Sequence, residues 1–386
     1  MTPLCVMLVA VETSGDVLGA GLMAALRKRL GERVRFVGVG GPRMAGAGLV
    51  SPFDPSALAV LGVFNALGVY PLVRRRVRET ADLARRERPE VAILIDAWGF
   101  NLRVAHAVRR VSPATRLIKY VAPQVWATRP GRARTLARAV DHLLTIHAFD
   151  APLFEAKGLR TSFVGNPALA REFSRADPVR FRLDIGATPE EPILLLLPGS
   201  RQGEVLRLLP VFEDVVCRLM TASPGLKIIV AAAQSVADTV RSRVTGWRCP
   251  VIVIEGDSAR DDAMRAATVA LACSGTVTTE LAIAGCPMVV AYRLDPLTAV
   301  FARRLIRTPY ITLFNVAAKR FVAPEFVQEA CTGAALAAAA RALLGDPAAR
   351  ARQRDEQAAA IALMRGGIDD PIMAAAACVL EQIGAG

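Results

Sequence analysis

The sequence predicts an α/β protein made of two doubly wound, Rossmann-like halves, and three observations support that prediction. The chain has 386 residues, more than one hydrophobic core usually serves. Residues 4–11 and 193–197 are uniformly apolar, and each run ends in a glycine-containing turn followed by a helical pattern. Uniformly apolar runs are typical of parallel strands that are covered on both faces. Ligands bind at the carboxyl ends of such strands, so we expect a site in each half.

The first half alternates short apolar strands with helices. The strands are predicted at 4–11, 34–39, 91–95, 117–121 and 141–146, with a helix after the first strand that ends at Leu30. Five glycines crowd the end of the second strand, at 38, 40, 41, 46 and 48. Their spacing does not match a dinucleotide fingerprint. We therefore expect a flexible loop there, near a cleft between the two domains.

An uncharged stretch, residues 55–73, precedes Arg74-Arg75-Arg76. It is barely long enough for a membrane span, which needs about 20 apolar residues. It is also interrupted by Gly62, Asn65, Gly68 and Pro71. Three interpretations stay open: an interfacial surface that dips into one leaflet, an ordinary core segment or loop, and a true span. The arginines that follow favour an anionic leaflet and the first interpretation.

The second half begins after a polar segment at 171–191. Its strands are predicted at 193–197, 227–231 and 251–254, and two amphipathic helices at 347–364 and 371–383 end the chain. The expected domains are residues 1–168 and 190–365. Residues 366–386 should form a helix that packs on the N-terminal domain or on a partner subunit.

Composition narrows the class of partner. The net charge of +13 indicates an anionic partner, whereas only 5% of the residues are aromatic. A stacking platform for single-stranded nucleic acid is therefore not expected. The seven cysteines have no paired spacing and there are only three histidines, so we expect reduced thiols, no structural zinc and a cytoplasmic protein. The N-terminal apolar run has no basic segment before it and is interpreted as a strand, not a signal peptide.

In the second half, residues 271–293 are interpreted as a strand, a turn, a helix and another strand. Ser274, Gly275 and Thr276 form the turn, and the amino end of the helix would favour a phosphate. Glu280, one helical turn later, could accept hydrogen bonds from ribose hydroxyls. An equally plausible alternative is that these residues only cap a helix. The turn at Gly199-Ser200-Arg201 adds a guanidinium suited to a diphosphate.

In the first half, polar residues follow two predicted strands. Glu12, Ser14 and Asp16 follow the first strand, and Asp96 follows the strand at 91–95, with Asn101 five residues later. A carboxylate at the carboxyl end of a buried strand is a candidate general base. The alternative for Ser14 and Asp16 is a capped turn, and for Asp96 a capping or loop aspartate.

Taken in order, these motifs resemble the lipid-A-disaccharide synthase family, inverting glycosyltransferases of the GT-B fold in glycosyltransferase family 19. The resemblance rests on segments that match family patterns in the same order along the chain. These segments are 12–16 (ETSGD), 38–44 (GVGGPRM), 120–127 (YVAPQVWA), 197–201 (LPGSR), 274–280 (SGTVTTE) and 287–293 (PMVVAYR).

The resemblance implies transfer of 2,3-diacylglucosamine from UDP-2,3-diacylglucosamine to 2,3-diacylglucosamine 1-phosphate. The products would be the β-1,6 disaccharide 1-phosphate of lipid A and UDP. It implies two domains facing across a cleft, no metal, no cofactor and no nucleic acid. An anionic inner-leaflet surface would be a partner of this peripheral enzyme, and a homodimer stays open.

The resemblance also assigns roles to residues. Asp96 would be the catalytic base for the acceptor hydroxyl, and Arg201 would stabilise the leaving diphosphate. The acceptor side would be formed by Glu12, Ser14, Asp16, Asp96 and Asn101. The nucleotide-sugar contacts would come from Gly199, Ser200, Arg201, Ser274, Gly275, Thr276, Glu280, Arg293, Asn315 and Gln328.

The chain departs from the family pattern at a few positions in the acceptor half. Gly99 stands where the family has a second aspartate, Asn166 where it has a histidine and Asn65 where it has a glutamate. Two alternatives therefore stay open. One is another UDP-sugar enzyme of the GT-B fold, with a different lipid acceptor or with 2-epimerase activity. The other is a membrane-associated paralogue that binds nucleotide sugar without turnover.

Overall fold

The computed structural model describes residues 3–59, 66–223, 225–295, 306 and 308–384. The chain divides into two compact units. Unit 1 comprises Met1–Pro167 together with Gly366–Gly386, and unit 2 comprises Ala168–Arg365. The C-terminal segment thus returns to the N-terminal unit, and the change of unit after Pro167 falls at the end of the first predicted half.

Unit 1 contains one sheet of six parallel strands in the order β2-β1-β3-β4-β5-β6. Strand β1 lies between β2 and β3, and the strand order changes direction there. The carboxyl ends of β1 and β3 therefore lie side by side. The strands are β1 Leu4–Val9, β2 Val34–Val39, β3 Val91–Ile95, β4 Arg116–Tyr120, β5 His142–Thr145 and β6 Arg160–Phe163.

Helices cover both faces of this sheet, which explains why its central strands β1 and β3 are apolar throughout. They are α1 Thr13–Leu30, α2 Pro42–Gly46, α3 Ser56–Ala59, α4 Ala66–Glu87, α5 Trp98–Val111, α6 Gly131–Ala137, α7 Ala151–Glu155 and, at the end of the chain, α16 Pro371–Gln382. Helix α16 packs on α1, where a Cβ at Gly21 would lie 3.2 Å from Cδ1 of Ile372.

Unit 2 repeats the architecture with six parallel strands in the order β12-β11-β10-β7-β8-β9. The strands are β7 Ile193–Leu197, β8 Lys227–Ala232, β9 Ile252–Glu255, β10 Val269–Cys273, β11 Met288–Tyr292 and β12 Glu325–Val327. The helices are α8 Pro178–Asp184, α9 Gln202–Ala222, α10 Ala237–Val244, α11 Asp257–Ala266, α12 Thr276–Ala284, α13 Leu313–Ala318, α14 Gly333–Gly345 and α15 Pro347–Arg365. The doubly wound fold predicted for both halves is confirmed.

Two details differ from the sequence-based expectation. The glycine-rich loop after β2 is ordered by the short helix α2, because its amino end is capped from α1. The sequence also did not reveal α14, whose alanine-rich pattern is weakly amphipathic. Residues 60–65 of the uncharged stretch, including Asn65, lie outside the described residues. Within the described parts of the chain, no helix has the length and apolar character that crossing a membrane requires.

Candidate active site

The nucleotide-binding residues predicted from two separate motifs line one cavity in unit 2. The cavity has a volume of about 260 Å³. Its lining includes residues that follow β7, β8 and β10, which are adjacent strands of the sheet. The predicted residues among them are Gly199, Ser200, Arg201, Ser274, Gly275, Thr276 and Glu280. The sheet topology therefore joins segments that are more than 70 residues apart at one carboxyl edge.

The turn after β7 requires glycine at one position. Gly199 has φ +113°, and a Cβ there would lie 2.7 Å from Oε2 of Glu204. The Glu204 carboxylate accepts a hydrogen bond from the backbone N–H of Arg201 at 3.4 Å and pairs with its Nη1 at 3.0 Å. The Arg201 side chain is 81% exposed, so most of its guanidinium remains available to a ligand.

The amino end of α12 forms the opposite wall of the cavity. The N-cap is Gly275, and no side chain caps the helix. The alternative interpretation, in which Ser274 and Thr276 only cap this helix, is therefore wrong. Ser274 Oγ donates to the carbonyl of Ile311 at 3.3 Å instead. The first N–H groups of a helix have no intrahelical acceptor and carry partial positive charge, which makes this end suited to a phosphate.

Glu280 lines the cavity but is also held by two arginines. Its Oε1 pairs with Nη1 of Arg171 at 2.5 Å, and its Oε2 lies 3.8 Å from Nη2 of Arg260. Arg260 lines the same cavity, and its Nε is buried without a hydrogen-bond partner among the described residues. No sequence signal pointed to Arg260, because it lies in none of the segments that resemble the family patterns.

Three predicted nucleotide contacts lie outside the cavity lining. Asn315 is fully buried and makes hydrogen bonds through both side-chain atoms, to Glu325 and to the backbone of 322–323. These bonds hold the loop before β12, and the contact of Asn315 with the nucleotide sugar stays a prediction. Gln328 Oε1 accepts from the N–H of Leu294 at 2.9 Å, and Arg293 Nη2 donates to the carbonyl of Cys331 at 2.5 Å. These two side chains also brace the backbone after β11.

In unit 1, Glu12, Ser14 and Asp96 lie together at the carboxyl ends of β1 and β3. Ser14 Oγ donates to Oδ2 of Asp96 at 3.3 Å. The pKa of Glu12 is raised above its ordinary value, chiefly by desolvation and then by the charge of Asp96, with an opposing effect from Lys119. Asp96 and Ala97 both have left-handed backbones, with φ +49° and +42°. This turn directs the Asp96 side chain to the sheet edge.

A buried lysine behind this turn was missed. Lys119 is 3% exposed, and its Nζ donates to the carbonyls of Leu94, Asp96 and Tyr120 at 3.3, 2.6 and 3.1 Å. Burial lowers its pKa to about 7, although the charges of Asp96 and Glu12 act in the opposite direction. A single lysine inside an otherwise apolar strand was the signal available in the sequence.

Two predicted acceptor-side residues have internal roles instead. Asp16 is 4% exposed, and its carboxylate accepts from the N–H groups of Gly41, Arg43 and Met44 at 2.8, 2.8 and 3.1 Å. It therefore caps α2. Asn101 is fully buried, and its Nδ2 donates to the carbonyls of Ile95 and Asp96. The contacts of Asp16 and Asn101 with the acceptor stay predictions.

Sequence comparison identifies the family to which these features belong. The family model described as lipid-A-disaccharide synthetase matches residues 6–376. The chain belongs to the lipid-A-disaccharide synthetase family. The lipid-A-disaccharide synthase of Rhodospirillum centenum is 42% identical over 383 residues, 99% of this chain and 96% of that protein. That of Paramagnetospirillum magneticum is 39% identical over 378 residues, 97% of each protein. Lipid-A-disaccharide synthases are glycosyltransferases, so the resemblance noted in the sequence is confirmed.

Solved structures share the fold of this synthetase-family chain. The UDP co-structure of S. aureus MnaA superimposes with a TM-score of 0.65 at 11% identity, covering 99% of this chain and 97% of that one. The UDP-GlcNAc 2-epimerase of Neisseria meningitidis, bound to UDP-GlcNAc, gives 0.60 at 10% identity, covering 99% and 100%. At these identities the similarity shows the GT-B-type fold of two doubly wound units and nothing finer.

Proposed function

We propose that this chain transfers 2,3-diacylglucosamine from UDP-2,3-diacylglucosamine to the 6-hydroxyl of 2,3-diacylglucosamine 1-phosphate, forming a β-1,6 disaccharide and UDP. The observation that carries the proposal is that Arg201 and the amino end of α12 line the same cavity of unit 2. Membership of the lipid-A-disaccharide synthetase family supports the choice of sugar and acceptor.

Unit 2 would bind the donor. Arg201 and the N–H groups at the start of α12 would contact the diphosphate, on which negative charge grows as the bond to the sugar breaks. Hydrogen-bond donors that are fixed in place before this charge develops stabilise the transition state more than they stabilise the bound sugar nucleotide. Glu280, already oriented by Arg171 and Arg260, would accept hydrogen bonds from the ribose hydroxyls.

Unit 1 would activate the acceptor. Asp96 would take the proton of the 6-hydroxyl as its oxygen attacks the anomeric carbon, while the electron pair of the breaking bond leaves with UDP. Ser14, which donates to Asp96, would orient the carboxylate. A side chain at Gly99 would meet Nη1 of Arg103 only at 3.7 Å, an ordinary contact distance. Packing therefore does not explain why position 99 is glycine and not the second aspartate of the family. Asp96 is the carboxylate that this segment retains.

A membrane surface would present the two lipid substrates. The face of α4 and α5 supports this part of the proposal, because a groove of about 570 Å³ there is lined by Arg74, Arg78, Arg103 and Arg110. Tyr70, at the start of this groove, is 50% exposed and lies under Arg74 at 5.8 Å. Clustered arginines beside an exposed aromatic ring suit anionic headgroups. We propose that the chain acts at the inner leaflet as a peripheral protein.

The experiment that tests the function is a product assay. Purified protein is incubated with UDP-2,3-diacylglucosamine and 2,3-diacylglucosamine 1-phosphate in mixed micelles, and the lipid products are identified by mass spectrometry. Disaccharide 1-phosphate with an equal amount of UDP supports the proposal. Epimerised or unchanged donor, with UDP still bound by the protein, would favour a 2-epimerase or a non-catalytic binding protein.

A further inference from the structure

Lys119 is a buried charge that the proposed reaction does not use directly. Lysine is almost never fully buried unless its charge is compensated, because moving an ammonium out of water is costly. Here the compensation comes from three carbonyl oxygens, those of Leu94, Asp96 and Tyr120. An ammonium has three N–H groups, so this set of acceptors uses all of them.

The three carbonyls belong to two adjacent strand ends with strained backbones. Asp96 and Ala97, after β3, have φ +49° and +42°, and Val121, after β4, has φ +73°. A positive φ is unfavourable for these residues, and for a β-branched valine it is a clear outlier. Such conformations are costly and persist only where neighbouring contacts enforce them.

One side chain ties both turns together. The Tyr120 carbonyl accepts from Lys119 at 3.1 Å and also from the N–H of Asp96 at 2.9 Å. Asn101 Nδ2 also donates to the carbonyls of Ile95 and Asp96. The charged groups that act on Lys119 are Asp96 and Glu12, which are the carboxylates at the edge of the sheet. The ammonium therefore fixes the backbone of Asp96 without forming an ion pair with its carboxylate.

We propose that Lys119 is a positioning residue: its ammonium holds the turns at Asp96–Ala97 and Val121 so that the Asp96 carboxylate stays beside Ser14, ready to accept a proton. The inference rests on the proposed function, in which Asp96 is the base. Lys119 would itself touch neither substrate, so its loss should lower kcat without weakening donor binding in unit 2.

The test compares Lys119→Met with a matched control, Thr115→Val. Thr115 is 1% exposed and lies just before β4, where its hydroxyl donates to the carbonyl of Pro89 at 2.7 Å. The control therefore removes a buried hydrogen bond at the opposite end of the same strand. Lys119→Met should lower kcat by about 10- to 100-fold, as expected when a reacting group is misplaced by about 1 Å, with KM and UDP affinity within about twofold of the parent. Thr115→Val should keep the parental kcat.

A second variant and a pH profile separate positioning from stability. Lys119→Gln keeps two N–H donors without the charge and should recover part of kcat; it carries the test if Lys119→Met does not fold. The parent should lose kcat on the alkaline side as the ammonium deprotonates, and Lys119→Met should lack that limb. Identical pH profiles, a kcat within twofold of the parent, or an equal loss in Thr115→Val would overturn the proposal.

A crystal structure of Lys119→Met gives a readout that needs no activity. Rotation of the Asp96–Ala97 turn and loss of the hydrogen bond from Ser14 to Asp96 are expected. An unchanged turn would overturn the inference even for an active enzyme. If the parent forms no disaccharide, the proposed function fails, while this structure still decides whether Lys119 sets the geometry of Asp96.

Discussion

Among substitutions in the cavity of unit 2, we expect Arg201→Ala to have the largest and most specific effect on kcat/KM. The guanidinium is 81% exposed and is held at one nitrogen by Glu204, so it is oriented yet accessible. Loss of one fixed donor to a developing oxyanion costs about 2–4 kcal/mol in the transition state. That range corresponds to a decrease of about 30- to 900-fold in kcat/KM.

Stability should hardly change, because an exposed ion pair contributes about 1 kcal/mol or less. The assay is disaccharide formation at varied donor concentration, with thermal melting measured in parallel. The matched control is Arg218→Ala, which removes an exposed arginine inside α9 that is paired with Asp214, one turn away, at 2.8 Å. Arg218→Ala should retain the parental kcat/KM. If Arg201→Ala stayed within twofold of the parent, the role assigned to this cavity would be refuted.

Three further predictions concern unit 1. Asp16→Ala removes the buried acceptor of three N–H groups at the amino end of α2. It should lower the free energy of unfolding, measured by urea titration, by about 2–4 kcal/mol. An unchanged midpoint would contradict the capping role. Burial raises the pKa of Asp150 from 3.8 to about 7, so ionisation of its carboxyl group destabilises the fold as the pH rises through this range. Asp150→Asn should flatten this part of the curve of unfolding free energy against pH, a change of about 4 kcal/mol at most. A curve as steep as that of the parent would exclude Asp150 as the cause. Arg74→Gln combined with Arg78→Gln should weaken binding to phosphatidylglycerol vesicles by about 2 kcal/mol at low salt and much less at high salt; equal binding at low salt would argue against this face.

The strands and most helices could be predicted because their apolar runs are long and uninterrupted. The runs at Ile193–Leu197 and Val91–Ile95 are buried at every position, as uniformly apolar sequence indicates. The adjacency of Arg201 and Ser274 also followed from the sequence, since carboxyl ends of parallel strands meet at one edge. What decided the cavity was strand order, which places β7 beside β10.

The roles of individual polar residues were harder to predict. The family resemblance assigned ligand contacts to Asp16, Asn101 and Asn315, yet each is at most 4% exposed and makes hydrogen bonds to nearby backbone groups. Sequence cannot distinguish a side chain that contacts a ligand from one that holds the loop beside it. Lys119 was missed for a different reason. Two of the three carbonyls that it contacts, those of Leu94 and Asp96, come near it only when the chain folds.

In the proposed mechanism, unit 2 binds the nucleotide sugar while Asp96 of unit 1 activates the acceptor hydroxyl. The most direct measurement compares Asp96→Asn with the parent in two assays on one preparation: UDP binding by calorimetry and disaccharide formation. We expect Asp96→Asn, which keeps the size of the side chain, to bind UDP with parental affinity and to form disaccharide at least about a hundredfold more slowly, the lower bound for losing general-base catalysis. Turnover close to that of the parent would contradict the assignment of Asp96 as the base.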